Sequence, residues 1–399
     1  MEIAVVGCGV AGQAAATFLA DVGHRVIVFE RFAELHPLGA GLLLQPTGLA
    51  VLDRLGLRDG AITGGAKVSG LEARTVKGRP VLDLSYADLH PQAHGVGIRR
   101  GVLFDLLHGR LMRSPATVVT GMEIIDVVRE HGRAVVVDKT LARHGPFDLA
   151  VIADGAHSAI RRRLMPQAYQ KIYPWGCIWT TVKDSAGLDV GLLRQRVDGT
   201  RAMMGLLPVG NGELTLYWSE PTVDLAPEVP LDLANMHRRA SALWPEAAGI
   251  VADAVAANDF ARATYRNVAL PNWNDGPILF IGDAAHGTSP QLGQGANLGL
   301  VDAWALARTI EGRRSVADAI ARFAERRSAT VRFYRQASHL LTPFFQSRLT
   351  PLGWLRDTVM IHGCRLPILR SIAVNTLAGT RSGWWSSVPL DAEGRYRLD

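Results

Sequence analysis

Residues 278–297 read ILFIGDAAHGTSPQLGQGAN, and the order of apolar, small and acidic residues in this stretch decides the fold class. Ile278, Leu279, Phe280 and Ile281 form a short continuous apolar run, the pattern of a strand buried on both faces. Gly282 and Asp283 end the run. Downstream, residues 297–310 repeat apolar side chains at Leu300, Ala303, Trp304 and Ala307, a three-four spacing that predicts a helix, with Gly312 beyond it as a stop. The loop between them therefore feeds a helix N-terminus. In that loop Gly293, Gln294, Gly295 and Ala296 leave backbone N–H groups bare, and a helix N-terminus carries about half a positive charge, so the loop suits an anion. Pro290 stiffens its approach.

The start of the chain supplies a second strand-to-helix junction. Ile3 to Val6 reads as a buried strand, Gly7, Gly9 and Gly12 complete a GxGxxG that opens a helix over 11–20, and Arg25 to Phe29 forms the next strand, with Glu30 and Arg31 at its end. This is a dinucleotide fingerprint: Gly7 permits the tight turn, Gly9 lets backbone approach a pyrophosphate, Gly12 lets helix and strand pack closely, and Glu30 can accept from a ribose hydroxyl. By itself it does not separate FAD from NAD. A third junction is DLAVIADGAHSAIRRR at 148–163, where a buried strand ends in Asp154 and Gly155 and Ser158 is placed to cap the helix carrying Arg161.

These three stretches together resemble the FAD-dependent aromatic hydroxylases, the group A flavoprotein monooxygenases with the para-hydroxybenzoate hydroxylase fold. The family signature GDAAHxxxPxxGQGxN is filled at every fixed position by Gly282, Asp283, Ala284, Ala285, His286, Pro290, Gly293, Gln294, Gly295 and Asn297, and the DGxxSxxR motif by Asp154, Gly155, Ser158 and Arg161. The resemblance implies non-covalent FAD, with Asp283 on the ribityl chain and the loop of Pro290, Gly293 and Gly295, with Ala296 and Asn297, facing the isoalloxazine ring. It also implies that Asp154, Gly155 and Arg161 help to hold FAD and engage the nicotinamide cofactor, and it counts Gly282 and Arg31 among the cofactor-binding residues. LGAGLLLQPTGLAVLDRLGL at 38–57 resembles the segment whose GAG turn, with Gly41, lies beside the flavin; many relatives carry an arginine just before it, where this chain has His36. Arg100 opens an RxxLxxxL pattern with Leu103 and Leu107, and the matching arginine in the family lies near the flavin.

The fold class implied is α/β: a Rossmann-like FAD-binding domain with a parallel sheet, formed by 1–67, 95–165 and 270–335; a smaller substrate domain with a mostly antiparallel sheet, formed by 68–94 and 166–269; and a helical C-terminal segment over 336–399. Alternation of apolar and polar residues at 175–182, 201–208 and 213–219 supports the antiparallel sheet and suggests that one of its faces is wet. Residues 68–89 read as strand pieces that pair with it, and strands within 118–138 turn near His131 and Gly132. Trp179, Tyr217, Trp218 and His237 are candidates to line a pocket, and no side chain stands out as a catalytic base.

Composition limits the alternatives. Nearly half of the 399 residues are apolar, enough for two cores, and three cysteines far apart do not make a disulfide framework. A net charge of +6 owes much to Arg322, Arg326, Arg327, Arg332 and Arg335, read as the solvated face of a helix; no nucleic-acid module accompanies it. No apolar run reaches the ~20 residues needed to span a bilayer, so a cytoplasmic enzyme is expected. Prolines at 343, 351 and 367 are expected to break residues 340–379 into short basic helices, with Trp354, Trp384 and Trp385 packed over the body; a basic amphipathic tail can also touch membranes. The resemblance implies an NADH- or NADPH-dependent monooxygenase in which O2 adds at the flavin C4a and one oxygen passes to an aromatic or polyketide-like substrate. A flavin reductase or dehydrogenase on the same scaffold, or a non-catalytic flavin-binding protein, would use the same motifs. The paired tryptophans of the flavin halogenases are not matched, since residues 175–179 read WGCIW.

Overall fold

In the computed structural model the apolar runs assemble side by side; it describes residues 1–35, 40–312 and 315–398. His36, Leu38 and Gly39 lie outside the described residues. Glu2–Val6 is flanked in parallel by Arg25–Phe29 and Leu149–Ile152, with Ile278–Phe280 and Thr117–Val119 beyond them and Asn274–Asp275 as an antiparallel edge. Ile3 pairs with Val26 and Leu149, a register that turns alternate residues to opposite faces. Ile3 and Val5 pack with the helices Val10–Asp21 and Gly295–Ile310, whereas Ala4 and Val6 pack on Val127, Val136 and Phe147. The latter belong to a meander of Ile124–Glu130, Arg133–Asp138 and Arg143–Phe147, whose first turn is His131–Gly132, as expected. With both faces covered, every residue of Leu149–Ile152 and Ile278–Phe280 is buried.

The second sheet has seven strands, in the order Ala261–Ala263, Trp175–Lys183, Glu213–Pro221, Ala202–Gly210, Leu192–Asp198, Gly70–Thr75 and Pro80–Ser85. The strand pieces at 68–89 thus do pair with it. The expected wet face is not there. Ile178, Met204, Leu206, Leu216 and Trp218 are sealed by Met236, Ala240, Ile250 and Val251 of the helices Leu233–Leu243 and Ala248–Ala257. The opposite face meets the cofactor-binding elements, so both are covered and the alternation in sequence overstates solvent. Gly41 shows how closely: a Cβ there would lie 2.3 Å from Thr215 Oγ1.

Two further expectations are corrected in the last quarter of the chain. The helix Val316–Phe345 runs through Pro343 and ends two residues later, while Pro351 and Pro367 stand at helix starts, where the missing N–H removes no bond. Arg327 does not share the solvated face of its neighbours; it is buried. Trp384 packs edge-on against Phe333, but Trp354 and Trp385 are 69% and 95% exposed rather than packed over the body.

The first strand and its helix meet at Gly12, where an added Cβ would lie 2.0 Å from the Gly7 carbonyl oxygen. Gly12→Val should cost about 1–3 kcal/mol through overpacking and reduce flavin content. Thermal unfolding and the flavin-to-protein ratio check this; wild-type values for both would refute the close approach.

Candidate active site

At the first junction Glu30 is held by backbone: its Oε2 accepts from Cys8 N at 2.8 Å and its Oε1 from Phe32 N at 3.1 Å. The carboxylate and the fingerprint loop are therefore one unit. Gly7 has φ +101°, and a Cβ there would lie 2.6 Å from the Ala153 carbonyl oxygen, whereas a Cβ at Gly9 or Gly155 would meet nothing within 4 Å. Gly9 and Gly155 thus expose bare backbone, as a pyrophosphate cradle requires. Asp154, at the end of its strand, has a buried Oδ1 with no hydrogen-bond partner among the described residues. Burial pushes its pKa up to about 6, against the opposing effects of Ser158, Arg161 and Arg31.

Arg31 is exposed, with its guanidinium 4.6 Å from the Phe32 ring centroid. Arg161 is fully buried and donates to the carbonyls of Ala284 at 2.8 Å and Ala156 at 2.6 Å and to Gln170 Oε1 at 2.9 Å. These bonds tie the Asp154 loop to the Asp283 helix, while its buried Nε has no partner among the described residues. Ser158 caps the helix as read, accepting from Arg161 N at 3.0 Å.

The central junction depends on a residue that no motif marked. Gly282 adopts φ 58°, ψ −145°, and its N–H donates to Asp302 Oδ2 at 2.9 Å. His286 Nε2 donates to the same oxygen at 2.6 Å, and Arg327 Nε donates to Oδ1 at 2.7 Å. Asp302 is fully buried, and His286 and Arg327 are nearly so. Burial alone would raise the Asp302 pKa, but His286, Arg327 and the Gly282 N–H bring it down to about 2. Asp283 is left exposed at the start of a short helix, with its Oδ1 3.6 Å from where a Cβ on Gly295 would stand. Exposed Pro290 opens a single 3₁₀ turn, Gly293 follows with φ 61°, and Gly295 and half-buried Ala296 begin the 16-residue helix. Asn297 was expected to contact the cofactor. Its Oδ1 accepts from Gln45 N at 2.8 Å and its Nδ2 donates to the carbonyls of Leu43 at 3.1 Å and Gly293 at 3.0 Å, so its side chain is committed to holding the loop. Gly41 likewise answers to the Thr215 contact.

Facing this loop is the inner side of the seven-stranded sheet. Trp179 and Tyr217 are cross-strand partners, and Cys177 lies two residues from Trp179 on the same face, its Sγ 2.7 Å from Tyr265 OH. Tyr217 OH accepts from Gln195 Nε2. Burial pushes the Cys177 thiol up to about 12 and both phenols above their ordinary range, so these groups stay neutral. Arg100 spans the gap: its guanidinium sits 5.0 Å from the Trp179 ring centroid and feels the charge of Asp283. Burial lowers its pKa, and its Nε has no partner among the described residues. Gln291 Nε2 donates to Gln346 Oε1 at 2.7 Å, and Gln346 Nε2 to Ser219 Oγ at 2.7 Å, bridging loop to wall along one edge.

Of the four pocket candidates, Trp179 and Tyr217 are on this wall. Trp218 and His237 are not: the strand's alternation turns Trp218 into the core behind the sheet, and His237 rides the helix that covers that side. Sequence reasoning missed Gln45, whose side chain is fully buried, accepts from Tyr86 OH, and leaves Nε2 unpartnered 3.8 Å from a Cβ built on Gly293. Tyr265, Cys177 and Gln346 carried no local signal either.

Asp154 Oδ1, Gln45 Nε2 and Arg100 Nε are buried and without partners among the described residues, backbone lies bare at Gly9 and Gly155, and a helix starts beside Asp283. An extended dinucleotide with a phosphate pair near one end and a polar ring at the other fits that donor and acceptor set. A family model described as "FAD binding domain" matches residues 1–336. The chain is 30% identical over 359 residues to 3-amino-4-hydroxybenzoate 2-monooxygenase of Streptomyces cremeus, covering 86% of this chain and 88% of that protein. It is 26% identical to 2-heptyl-3-hydroxy-4(1H)-quinolone synthase of Pseudomonas aeruginosa, covering 90% and 94%. Klebsiella pneumoniae HpxO, solved with FAD and uric acid, superposes with a TM-score of 0.82 at 19% identity, covering 96% of this chain and 98% of that one.

Asp302→Ala leaves Arg327 buried without its carboxylate and should cost about 3–5 kcal/mol, read by thermal unfolding. Because the folded pKa of Asp302, about 2, lies below its ordinary 3.8, its stabilisation is fully present above about pH 4 and fades as pH falls toward 2. The stability gap between the native chain and Asp302→Asn should narrow across that window, and a constant gap would count against the anchor. Asp283→Ala, by contrast, should lower FAD occupancy with an unchanged circular dichroism spectrum; full occupancy would remove Asp283 from the cofactor site.

Proposed function

We propose a reaction and a substrate class for a chain that belongs to the FAD-binding family of flavoprotein monooxygenases: it takes two electrons from NADH or NADPH and one oxygen atom from O2 to hydroxylate an electron-rich aromatic compound, the second oxygen leaving as water. Bound FAD supplies the hydride acceptor and the activation of O2. The chain supplies position, charge and exclusion of water.

Glu30, the bare backbone of Gly7, Gly9 and Gly155, and Asp154 hold the adenosine and pyrophosphate end. Arg31, Arg161, Arg162 and Arg266 surround His157, whose pKa is lowered by burial and by those charges, and this positive field favours an anionic nicotinamide cofactor. Asp283 takes the ribityl chain. At the ring end, the N-terminus of the Gly295–Ile310 helix and the N–H groups after Gly293 favour negative charge on the reduced ring. The wall of Trp179, Tyr217, Tyr265 and Cys177 then bounds the substrate with an aromatic face and neutral hydroxyl and thiol groups.

The observation that carries the reading is Arg100, a half-buried side chain whose buried Nε has no partner among the described residues, between Asp283 and the aromatic wall. A substrate with an acidic ring oxygen or a carboxylate satisfies that donor, and ionisation makes the ring more nucleophilic. The relatives named above handle aminohydroxybenzoate, hydroxyquinolone and urate skeletons, all of which carry such oxygens.

Holoenzyme screened with hydroxylated benzoates and heteroaromatics should show ligand-stimulated NAD(P)H oxidation, and under ¹⁸O2 the product should gain one labelled atom. Products without label, with a ligand reduced or dehydrogenated instead, would overturn the monooxygenase reading. Arg100→Gln should reduce coupled product on the order of 10²-fold, diverting oxygen to hydrogen peroxide; full coupling in that variant would place the substrate anion elsewhere.

A further inference from the structure

Behind the site, the C-terminal helices present an apolar surface that none of the described residues covers. Thr350–Leu355, a π turn at Arg356–Met360 and Ile361–Arg365 form one continuous helical path. Gly353, Arg356 and Cys364 of this path are buried, while Trp354, Leu355 and Val359 are exposed by 69%, 40% and 54%. At about 100° per residue the exposed three share one side of the helix, opposite the buried ones. Leu366, Ile368 and Leu369, at the start of the Pro367–Ala378 helix, extend the surface with exposures of 58%, 76% and 46%. Six large apolar side chains standing in water over sixteen residues make a patch rather than scattered exposure.

The charge around the patch has one sign. Residues 346–379 hold four arginines, Arg348, Arg356, Arg365 and Arg370, against the single acid Asp357. Asp357 is spent on Arg356, whose Nε donates to it at 2.8 Å, and Arg370 pairs with Asp88 at 2.7 Å. Arg348 and Arg365 stand exposed beside the apolar side chains, as does His362. A second copy docked on this face would press like charges together. A tryptophan and leucines framed by exposed arginines instead match the boundary of an anionic bilayer, where apolar side chains enter the acyl region and guanidinium groups remain among phosphates. Among the described residues no helix is long and apolar enough to cross a membrane, so such contact is peripheral.

We propose that the face formed by Trp354, Leu355, Val359, Leu366, Ile368 and Leu369, with Arg348 and Arg365, docks reversibly on an anionic lipid surface. The same helical segment is joined to the site: Gln346 just before it bridges Gln291 and Ser219, and a Cβ at Gly353 would lie 3.1 Å from the backbone of Gly199, in the turn after the strand Leu192–Asp198. Docking therefore sets the substrate side of the molecule close to the bilayer, whichever reaction the site performs.

The test is sedimentation of the FAD-loaded enzyme with vesicles of phosphatidylcholine alone or with about a third phosphatidylglycerol, at low and high salt. Binding should require the anionic lipid and weaken with salt. Trp354→Ser combined with Ile368→Ser should lower the partition coefficient at least about tenfold, and Arg348→Glu with Arg365→Glu should remove the preference for phosphatidylglycerol. All four positions are exposed, so flavin content and melting temperature should match the native enzyme. No binding to anionic vesicles, or binding that neither pair of substitutions alters, would overturn the proposal. A dimer in sedimentation velocity that Trp354→Ser dissociates would overturn it in favour of a second copy.

Discussion

The carboxylate of Asp302 is the point on which the cofactor loop hangs. Three donors from three places in the chain converge on it: the Gly282 N–H at the end of a core strand, the imidazole of His286 four residues later, and the guanidinium of Arg327 on the long helix. A buried carboxylate is stable only with such company. What it fixes is the direction in which the chain leaves the sheet. Gly282 is turned to φ 58°, and Asp283 consequently faces outward beside Gly295 instead of following the strand inward. The geometry of the loop is thus set from behind, by buried groups.

The same division recurs around the loop. Arg161 ties the Asp154 turn to the Asp283 helix, and Asn297 ties the helix start to Gln45 and Leu43. Residues with the most distinctive side chains therefore hold backbone in place, and small residues leave backbone bare. Oriented N–H groups and a helix end need no rearrangement when charge develops beside them, which is why a rigid frame is useful for a flavoprotein monooxygenase. Arg100 is the exception, a charged side chain placed directly between the cofactor loop and the aromatic wall.

The three junctions were legible because each is local: a buried strand, a glycine turn and a helix start lie within about twenty residues, and spacing alone specifies them. Glu30, Asp283 and the Ser158 cap stand where the sequence places them. Arg327 and Asp302 were not legible, because a buried partner of an arginine depends on which helix face meets which strand end, and their pairing spans 25 residues. Trp218 illustrates the same limit from the other side. It neighbours Tyr217 in sequence, yet strand pleating sends one to the site and the other to the core. Gln45, Tyr265 and Gln346 acquire their roles only once distant segments are docked, and the solvent expected on one sheet face was displaced by elements far away in sequence.

Gln294 donates to the carbonyl oxygens of Thr376 and Leu377, and Gly379 leaves no room for a side chain against Thr47 and Gln294. The loop from Gly293 to Asn297 is thereby stitched to a segment 82 and 83 residues further along the chain. The fingerprint from Gly7 to Glu30 is complete within one strand, helix and strand, whereas this loop takes its final form only when residues 376–379 have docked on it. A cut between the two segments would leave the fingerprint whole and the loop without its clasp.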